Sequence, residues 1–398
     1  MLKGIIFDMD GVLVNSEPLH YKVYTQLLDG YGQKLDWEVY KPFIGSTRKA
    51  LTDQLLKVYH LPLTEDELVK AMKEKKKELV EMEGYEGIHG IPEFLQRLKK
   101  AGYLLAVASS SSYEYIKEVT NALGIQSYFD YLVSGESVEH PKPAPDVFLK
   151  TAEMMGLLPE ECLVVEDSNN GVRAANAAGM ACIGFENPDS GEQDLRVADM
   201  IVLGFDDLDI TYIKNIHKRH FGIPLTIGET ERILVRELTV DDLDDLYGFY
   251  DPSMTDGCME ALTEDRDYER ERLKNYITNA YIFCGYGLWA IYSKETGDFL
   301  GQIGFTNANL KGKNRLQLGY IIGKPYRNRG YAYEAALLAL NFAKEQLYLE
   351  EIHMLIEEEN LPSKSLALKL QFQDEGFIEE EDKVYRHFRK EVRVGEGT

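Results

Sequence analysis

The chain opens on an apolar run, Leu2–Phe7, broken only by Lys3 and Gly4, that ends abruptly in Asp8-Met9-Asp10-Gly11. Such a run, lacking polar alternation, suits a strand buried on both faces, as in a parallel sheet. Carboxylates at i and i+2 of an extended segment point the same way. Asp8 and Asp10 would therefore face one site at the carboxyl end of the strand, where open α/β sheets bind ligands. Two like charges this close are costly unless a cation lies between them or one carries a proton. The competing reading is an Asx turn at Asp8 followed by an ordinary Asp-Gly turn, and the tetrapeptide alone does not separate the two.

The rest of the first half decides between them. At 398 residues the chain exceeds what one core usually holds, so two domains are expected. From Val14 to about residue 83 the pattern is helical, punctuated by Pro18, Gly32, Pro42 and Pro62. The α/β alternation then resumes. Tyr103–Ala108 reads as a buried strand ending in Ser109-Ser110-Ser111-Ser112, and Tyr131–Ser134 as a short strand. Lys142 stands in a proline-rich turn, and Cys162–Val165 ends in Glu166-Asp167. Strands separated by helices imply a doubly wound parallel, Rossmann-like sheet. The polar residues gather at its strand ends: two carboxylates, a hydroxyl, a lysine and a second acidic pair. That set is what phosphoryl transfer through an aspartyl-phosphate requires, and Mg²⁺ takes a few carboxylates plus water and phosphate oxygens.

These four motifs, in this order, resemble the haloacid dehalogenase-like (HAD) superfamily. The helical insert, about residues 16–84, resembles its small helical cap. Ser16-Glu17-Pro18-Leu19-His20 and Phe43-Ile44-Gly45-Ser46-Thr47-Arg48 resemble the β-phosphoglucomutase and sugar-phosphatase branch. The resemblance implies Asp8 as nucleophile and Asp10 as general acid/base, with Ser109, Ser110 and Lys142 holding the phosphoryl group. It implies Mg²⁺ held by Asp8, Asp10 (through its carbonyl), Glu166 and Asp167, and His20, Gly45 and Arg48 facing the substrate. Lys75 is set aside from the site. The expected substrate is a small phosphate ester, hydrolysed rather than isomerised; a phosphomutase is the alternative.

Composition sets the exclusions. A net charge of −23 argues against nonspecific binding to nucleic acid or anionic membrane. The four cysteines (Cys162, Cys182, Cys258, Cys284) lie far apart without a CxxC pair, which fits a reducing compartment. No signal peptide or membrane span is expected, and the expected location is cytoplasmic.

The first domain is expected over residues 1–220, a linker over 221–230 and a second domain over 231–398. Ile233–Glu237, Gly287–Ser293, Phe299–Thr306 and Leu316–Ile322 read as strands of a mostly antiparallel sheet in a second α/β domain. Arg327-Asn328-Arg329-Gly330-Tyr331-Ala332 then runs into a strong helix, an arrangement that accepts a pyrophosphate. With the strand Ile352–Ile356 and Asn360-x-x-Ser363, this order resembles the GNAT N-acetyltransferases. The resemblance implies acetyl-CoA bound by Arg327, Asn328, Arg329, Gly330, Tyr331 and Ala332. It implies the pantetheine arm along the strand end with Ile321, Ile322 and Gly323, Asn360 and Ser363 near the thiol, and an amine of a small molecule or protein N-terminus as acceptor. Three positions depart from the family pattern. Gln317 replaces a frequent glutamate, Ala367 a tyrosine and Gln371 a glycine, and glutamine cannot act as a base. The alternative is a regulatory module that binds acetyl-CoA without transferring its acetyl group.

Overall fold

The computed structural model describes residues 1–41, 48–255, 261–310, 312–380 and 383–392, with 48–50 given by backbone alone. The chain divides into two compact units, Met1–Phe221 and Gly222–Thr398.

In the first unit β1 (Gly4–Phe7) leads into four helices, α1 (Ser16–Asp29), α2 (Trp37–Tyr40), α3 (Arg48–Tyr59) and α4 (Glu65–Glu83). Alternation follows with α5 (Ile91–Lys100), β2 (Leu104–Ser109), α6 (Tyr113–Ala122), β3 (Tyr131–Ser134) and α7 (Asp146–Met155). The unit ends with β4 (Cys162–Glu166), α8 (Asn169–Ala177), β5 (Ala181–Phe185), β6 (Met200–Val202) and α9 (Ile210–His220). The strands form a parallel sheet in the order β3-β2-β1-β4-β5-β6. Successive residues of β1 enter different cores. Ile5 and Phe7 pack with Leu105, Val107, Leu163 and Val165, while Ile6 packs with Ala106, Ala108 and Val164 on the other face. That two-sided burial is why the opening run carries no polar alternation.

Helices α1–α4 form an insert with its own apolar core of Val23, Leu28, Tyr40, Leu55, Leu68 and Leu79. Helix α4 starts on a capping box in which Thr64 and Glu67 satisfy each other's backbone amides. The insert leaves and re-enters the sheet layer through one stem. Asn15 N–H donates to Glu86 O at 2.8 Å, and Ile88 N–H donates to Leu13 O at 3.1 Å. Val14 and Gly87 form a bridge between these bonds.

The second unit begins with β7 (Thr226–Glu229) and β8 (Ile233–Arg236), then α10 (Leu243–Phe249), α11 (Pro252–Thr255) and α12 (Arg266–Tyr276). A hairpin series follows: β9 (Leu288–Ser293), β10 (Phe299–Leu310) and β11 (Lys313–Ile322). Then come α13 (Tyr331–Glu345), β12 (Glu351–Ile356), α14 (Leu361–Lys369), β13 (Gln373–Glu380) and β14 (Lys383–Glu391). The sheet order is β13-β14-β12-β11-β10-β9-β8-β7, antiparallel except where β11 meets β12. Among the described residues those two strands share a single ladder pair, Gln317↔His353, and β11 runs on to Ile322 without pairing to β12 again.

Three features depart from the expectations. The segment 221–230 is not simply a linker, because Thr226–Glu229 forms strand β7 against β8. Its Pro224 and Gly228 mark the start and the irregularity of that edge strand, and a side chain at Gly228 would press on Leu338. Helix α12 and strands β13 and β14 were not anticipated. Ile378 is the one residue of β13 that is buried, so its sequence carries almost no apolar period.

Candidate active site

Strand β1 delivers Asp8 to the point where the sheet layer meets the insert, and three neighbours complete its surroundings. Lys142 Nζ lies 2.5 Å from Asp8 Oδ1 and 2.7 Å from Glu166 Oε1, and donates to Ala108 O at 3.2 Å. Its position comes from the rigid turn ahead of α7. Glu166 ends β4 and is 1% exposed; its Oε2 accepts from the Ser168 amide and hydroxyl, both at 2.9 Å. Asp167, also buried, accepts from Ser190 Oγ at 2.5 Å. Asp8, Glu166 and Asp167 each bring a carboxylate oxygen to within 4.8 Å of the others.

Burial is the first cause of the electrostatics here. It pushes Asp8 up to about 7, with Glu166 and Asp10 adding to the rise and Lys142 opposing it. Burial likewise raises Asp167 well above the usual carboxylate range, with Glu166 and Asp8 contributing. For Lys142, burial alone would lower the value, but Asp8 and Glu166 outweigh it and hold the ammonium charged. One lysine does not neutralise this many buried carboxylates. Hard oxygen donors with surplus negative charge suit a divalent cation such as Mg²⁺, so the residues fit the metal expected.

Asp10 stands apart from that oxygen cluster. Its Oδ2 accepts from Ser111 Oγ at 3.0 Å, and its Oδ1 is buried without a hydrogen-bond partner. A buried, unpaired carboxylate oxygen calls for a donor from a ligand or water. Ser109 ends β2, is buried, and its Oγ accepts from the Ser111 amide at 3.1 Å, while Ser110 is exposed. Gly11 has φ +82°, a conformation that L side chains rarely adopt, and a Cβ there would overlap the Asp167 carboxylate. Gly11→Ala is therefore expected to displace Asp167 and to weaken binding of a divalent cation by this carboxylate cluster by about tenfold or more, measured by titrating Mg²⁺ into the folded protein.

These groups line a cavity of about 1400 Å³ whose roof is the insert. His20 lines it, with its Nε2 3.3 Å from Lys76 Nζ. Lys76, reaching down from α4, donates to Tyr115 Oη of α6 at 2.8 Å. Glu17 and Tyr40 are hydrogen-bonded to each other on the same wall. Gly45 lies outside the described residues, and Arg48 is described only as the backbone start of α3. Lys75 pairs with Glu78 at 2.6 Å on the helix surface. Sequence reasoning missed Ser111, Ser190 and Lys76. For Lys76 a signal existed, since Val69, Met72, Lys73, Lys76 and Val80 share one stripe of α4 and that stripe faces the cavity.

The second unit carries a different arrangement. Gly330, at φ +86°, caps α13, and Asn328 is also left-handed at φ +61°. The ladder of α13 begins with Tyr333 N–H donating to Gly330 O, so the amides of Tyr331 and Ala332 precede any intrahelical acceptor. Arg327 Nε donates to Ile322 O at 3.0 Å, tying the loop to the end of β11. Arg329 is exposed, and its carbonyl accepts from Arg232 Nη2 at 3.1 Å. Ile321 and Ile322 end β11 beyond its one ladder pair with β12 among the described residues, and Gly323 follows. Asn360 caps α14 by accepting from the Ser363 amide at 3.1 Å, and Ser363 Oγ lies 3.0 Å from Tyr320 Oη. Ala367 is fully buried and Gln371 is left-handed at φ +64°. An anion cradle beside an opened strand pair fits a pyrophosphate-bearing thioester.

Comparisons with known proteins divide along the same boundary. A family model described as haloacid dehalogenase-like hydrolase matches residues 5–185, and one described as an acetyltransferase (GNAT) domain matches residues 232–373. A phosphorylated carbohydrates phosphatase of Thermotoga maritima is 30% identical over 179 residues, covering 45% of this chain and 82% of that relative. A fructose-1-phosphate phosphatase of Escherichia coli is 32% identical over 183 residues, covering 45% and 94%. Among solved structures, CbbY from Rhodobacter sphaeroides in complex with phosphate is 27% identical, with a TM-score of 0.48, covering 54% of this chain and 100% of that one.

Proposed function

The chain belongs to the haloacid dehalogenase-like hydrolases over residues 5–185 and carries a GNAT acetyltransferase domain over residues 232–373, and on that premise we propose a bifunctional enzyme: a Mg²⁺-dependent phosphatase of a small sugar phosphate joined to an acetyl-CoA-dependent N-acetyltransferase. The observation that carries the first activity is the buried set Asp8, Lys142, Glu166 and Asp167 at the strand ends. The relatives named for phosphorylated carbohydrates and fructose 1-phosphate favour a sugar phosphate as substrate.

Asp8 forms the bond to phosphorus while the bridging oxygen leaves. Asp10, held by Ser111, gives that oxygen its proton, and the alcohol departs. Asp10 then takes a proton from water as the water attacks the aspartyl-phosphate, and inorganic phosphate and free Asp8 result. Lys142 and Ser109 bind the phosphoryl oxygens, and Lys142 opposes the rise that burial imposes on Asp8. Mg²⁺ held by Asp8, Asp167, Glu166 and the Asp10 carbonyl would offset the charge of the phosphate when bound. His20 and the insert wall would select the alcohol.

The test is a screen of hexose, pentose and nucleoside phosphates with Mg²⁺ and with EDTA. Hydrolysis of at least one sugar phosphate, abolished by EDTA, is expected. Isomerisation of a hexose phosphate without phosphate release would instead make the first unit a mutase. For the second unit, a ligand at 100 times its Kd stabilises by about 2.7 kcal/mol. Millimolar acetyl-CoA should accordingly raise a melting transition by several degrees, and an unmoved transition would sink the cofactor assignment.

A further inference from the structure

We propose that the second unit takes the proton of its acceptor ammonium with an imidazole pair, His353 and His387, in place of a carboxylate on β11. This rests on the acetyl-transfer reading above and adds the base that reading lacks, since Gln317 carries an amide that cannot accept the proton.

The register supplies the first observation. Gln317 and His353 form the one ladder pair that β11 and β12 share among the described residues, so the strands part from these two positions onward. A thioester lying in the opening would reach its deepest point beside them. Paired residues on neighbouring strands project to the same face. The ion pair between Arg315 of β11 and Glu351 of β12, 3.1 Å apart and two residues earlier on each strand, marks that shared face.

The second observation is a buried, weakly held nitrogen. His353 is 4% exposed. Its Nδ1 lies 2.9 Å from His387 Nε2, and the two rings stack with centroids 5.2 Å apart at 28°. Its Nε2 is buried and, among the described residues, makes no close hydrogen bond; its one polar neighbour there is Glu351 Oε1, an ion-pair contact at 3.5 Å. A buried nitrogen held only by one long contact is under-satisfied, and an apolar side chain would fill the place without that cost. A donor arriving with the substrate completes it. His387, on β14, is only partly buried, so the pair extends from the enclosed nitrogen toward the surface.

The charges around the pair keep it receptive. Glu351 on the same strand would favour the charged ring, whereas Arg315 on β11 and Arg389 on β14 oppose it. Both arginines are also bound to Glu351, which blunts its effect. Burial is the largest influence and holds His353 below the usual histidine value, so the ring is neutral at pH 7 and able to accept a proton. The step balances without a further reactant. The imidazole takes one proton from R–NH₃⁺. The freed amine forms the C–N bond to the acetyl carbonyl carbon, and the C–S bond breaks with its electron pair going to sulfur. The extra proton on nitrogen passes to the thiolate, leaving the amide and free CoA, and the imidazolium returns its proton to solvent.

The test measures CoA release from acetyl-CoA with spermidine, glucosamine and an alanine-leading tetrapeptide as acceptors. His353→Asn keeps a partner for His387 but removes the base. It should lower kcat/KM for the amine by roughly 100-fold and erase the ascending limb of the pH profile in the histidine range, with the acetyl-CoA thermal shift unchanged. Adding Gln317→Glu to that variant should restore much of the rate. Should H353N fail to fold, His387→Asn at the partly exposed position should still displace the limb. An H353N enzyme with the wild-type rate and pH profile overturns the proposal and leaves the transferase standing. A wild-type protein that binds acetyl-CoA yet acetylates none of the three amines overturns the transferase reading, and the base with it.

Discussion

Asp8→Asn is expected to abolish phosphate release, with a loss on the order of 10³-fold or more in kcat. The amide is nearly isosteric, so Lys142 and the carboxylates of Glu166 and Asp167 keep their places. What disappears is the oxygen nucleophile, and no described carboxylate can replace it. Asp10 is held by Ser111 on another bearing, while Glu166 has both oxygens engaged, one by Lys142 and one by Ser168. Stability should not fall, because the substitution removes a buried charge that already resists ionisation up to about 7. Phosphate release alongside a melting curve separates these effects. Full activity in D8N on every substrate of the wild type would overturn the nucleophile assignment.

Lys142→Met should be costly for stability as well as for turnover. It removes the cation that touches both Asp8 and Glu166. Removing one partner of a buried ion pair costs about 3–5 kcal/mol, so a drop of roughly 10 °C in the melting temperature of the first unit is expected. Asp8 would also rise further, since Lys142 is the group pulling it down, and a nucleophile protonated at neutral pH does not attack. Residual activity should appear only on the alkaline side. The double variant Lys142→Met with Glu166→Gln should recover part of the melting temperature and none of the activity, because it removes the uncompensated charge without returning the phosphoryl-binding cation. If K142M melts like wild type, the lysine is not the counter-ion described above.

Much of this is legible in the sequence alone, for a physical reason. A strand buried on both faces must be apolar, so any polar group at its end stands out, and Asp8, Ser109 and Glu166 all do. Lys142 showed itself through the prolines around it. Ser190 did not, because it reaches Asp167 from a loop after β5 and nothing local marks a serine there. Lys76 was hidden among neighbouring lysines on a charged helix, and only the side of α4 that faces inward distinguishes it from Lys75. In the second unit the loop proposed to take the pyrophosphate was visible as small residues ahead of a long helix. Strands β13 and β14 were not, because edge pairing buries so few of their side chains that no alternation survives. His353 illustrates the same limit. Its partner across the opening is fixed by register, which belongs to two strands at once.

The stem that joins the helical insert to the sheet has a consequence for exchange of parts. Closing a loop costs chain entropy that grows only slowly with its length, and here the two ends are already clasped by Asn15 to Glu86 and Leu13 to Ile88. The sheet thus meets roughly seventy residues of insert as if they were a single tight turn. Inserts of other lengths and shapes could be grafted at that clasp without re-registering a strand. Substrate choice can in this way drift as a cassette while the strand ends proposed to make and break the bond to phosphorus remain unchanged.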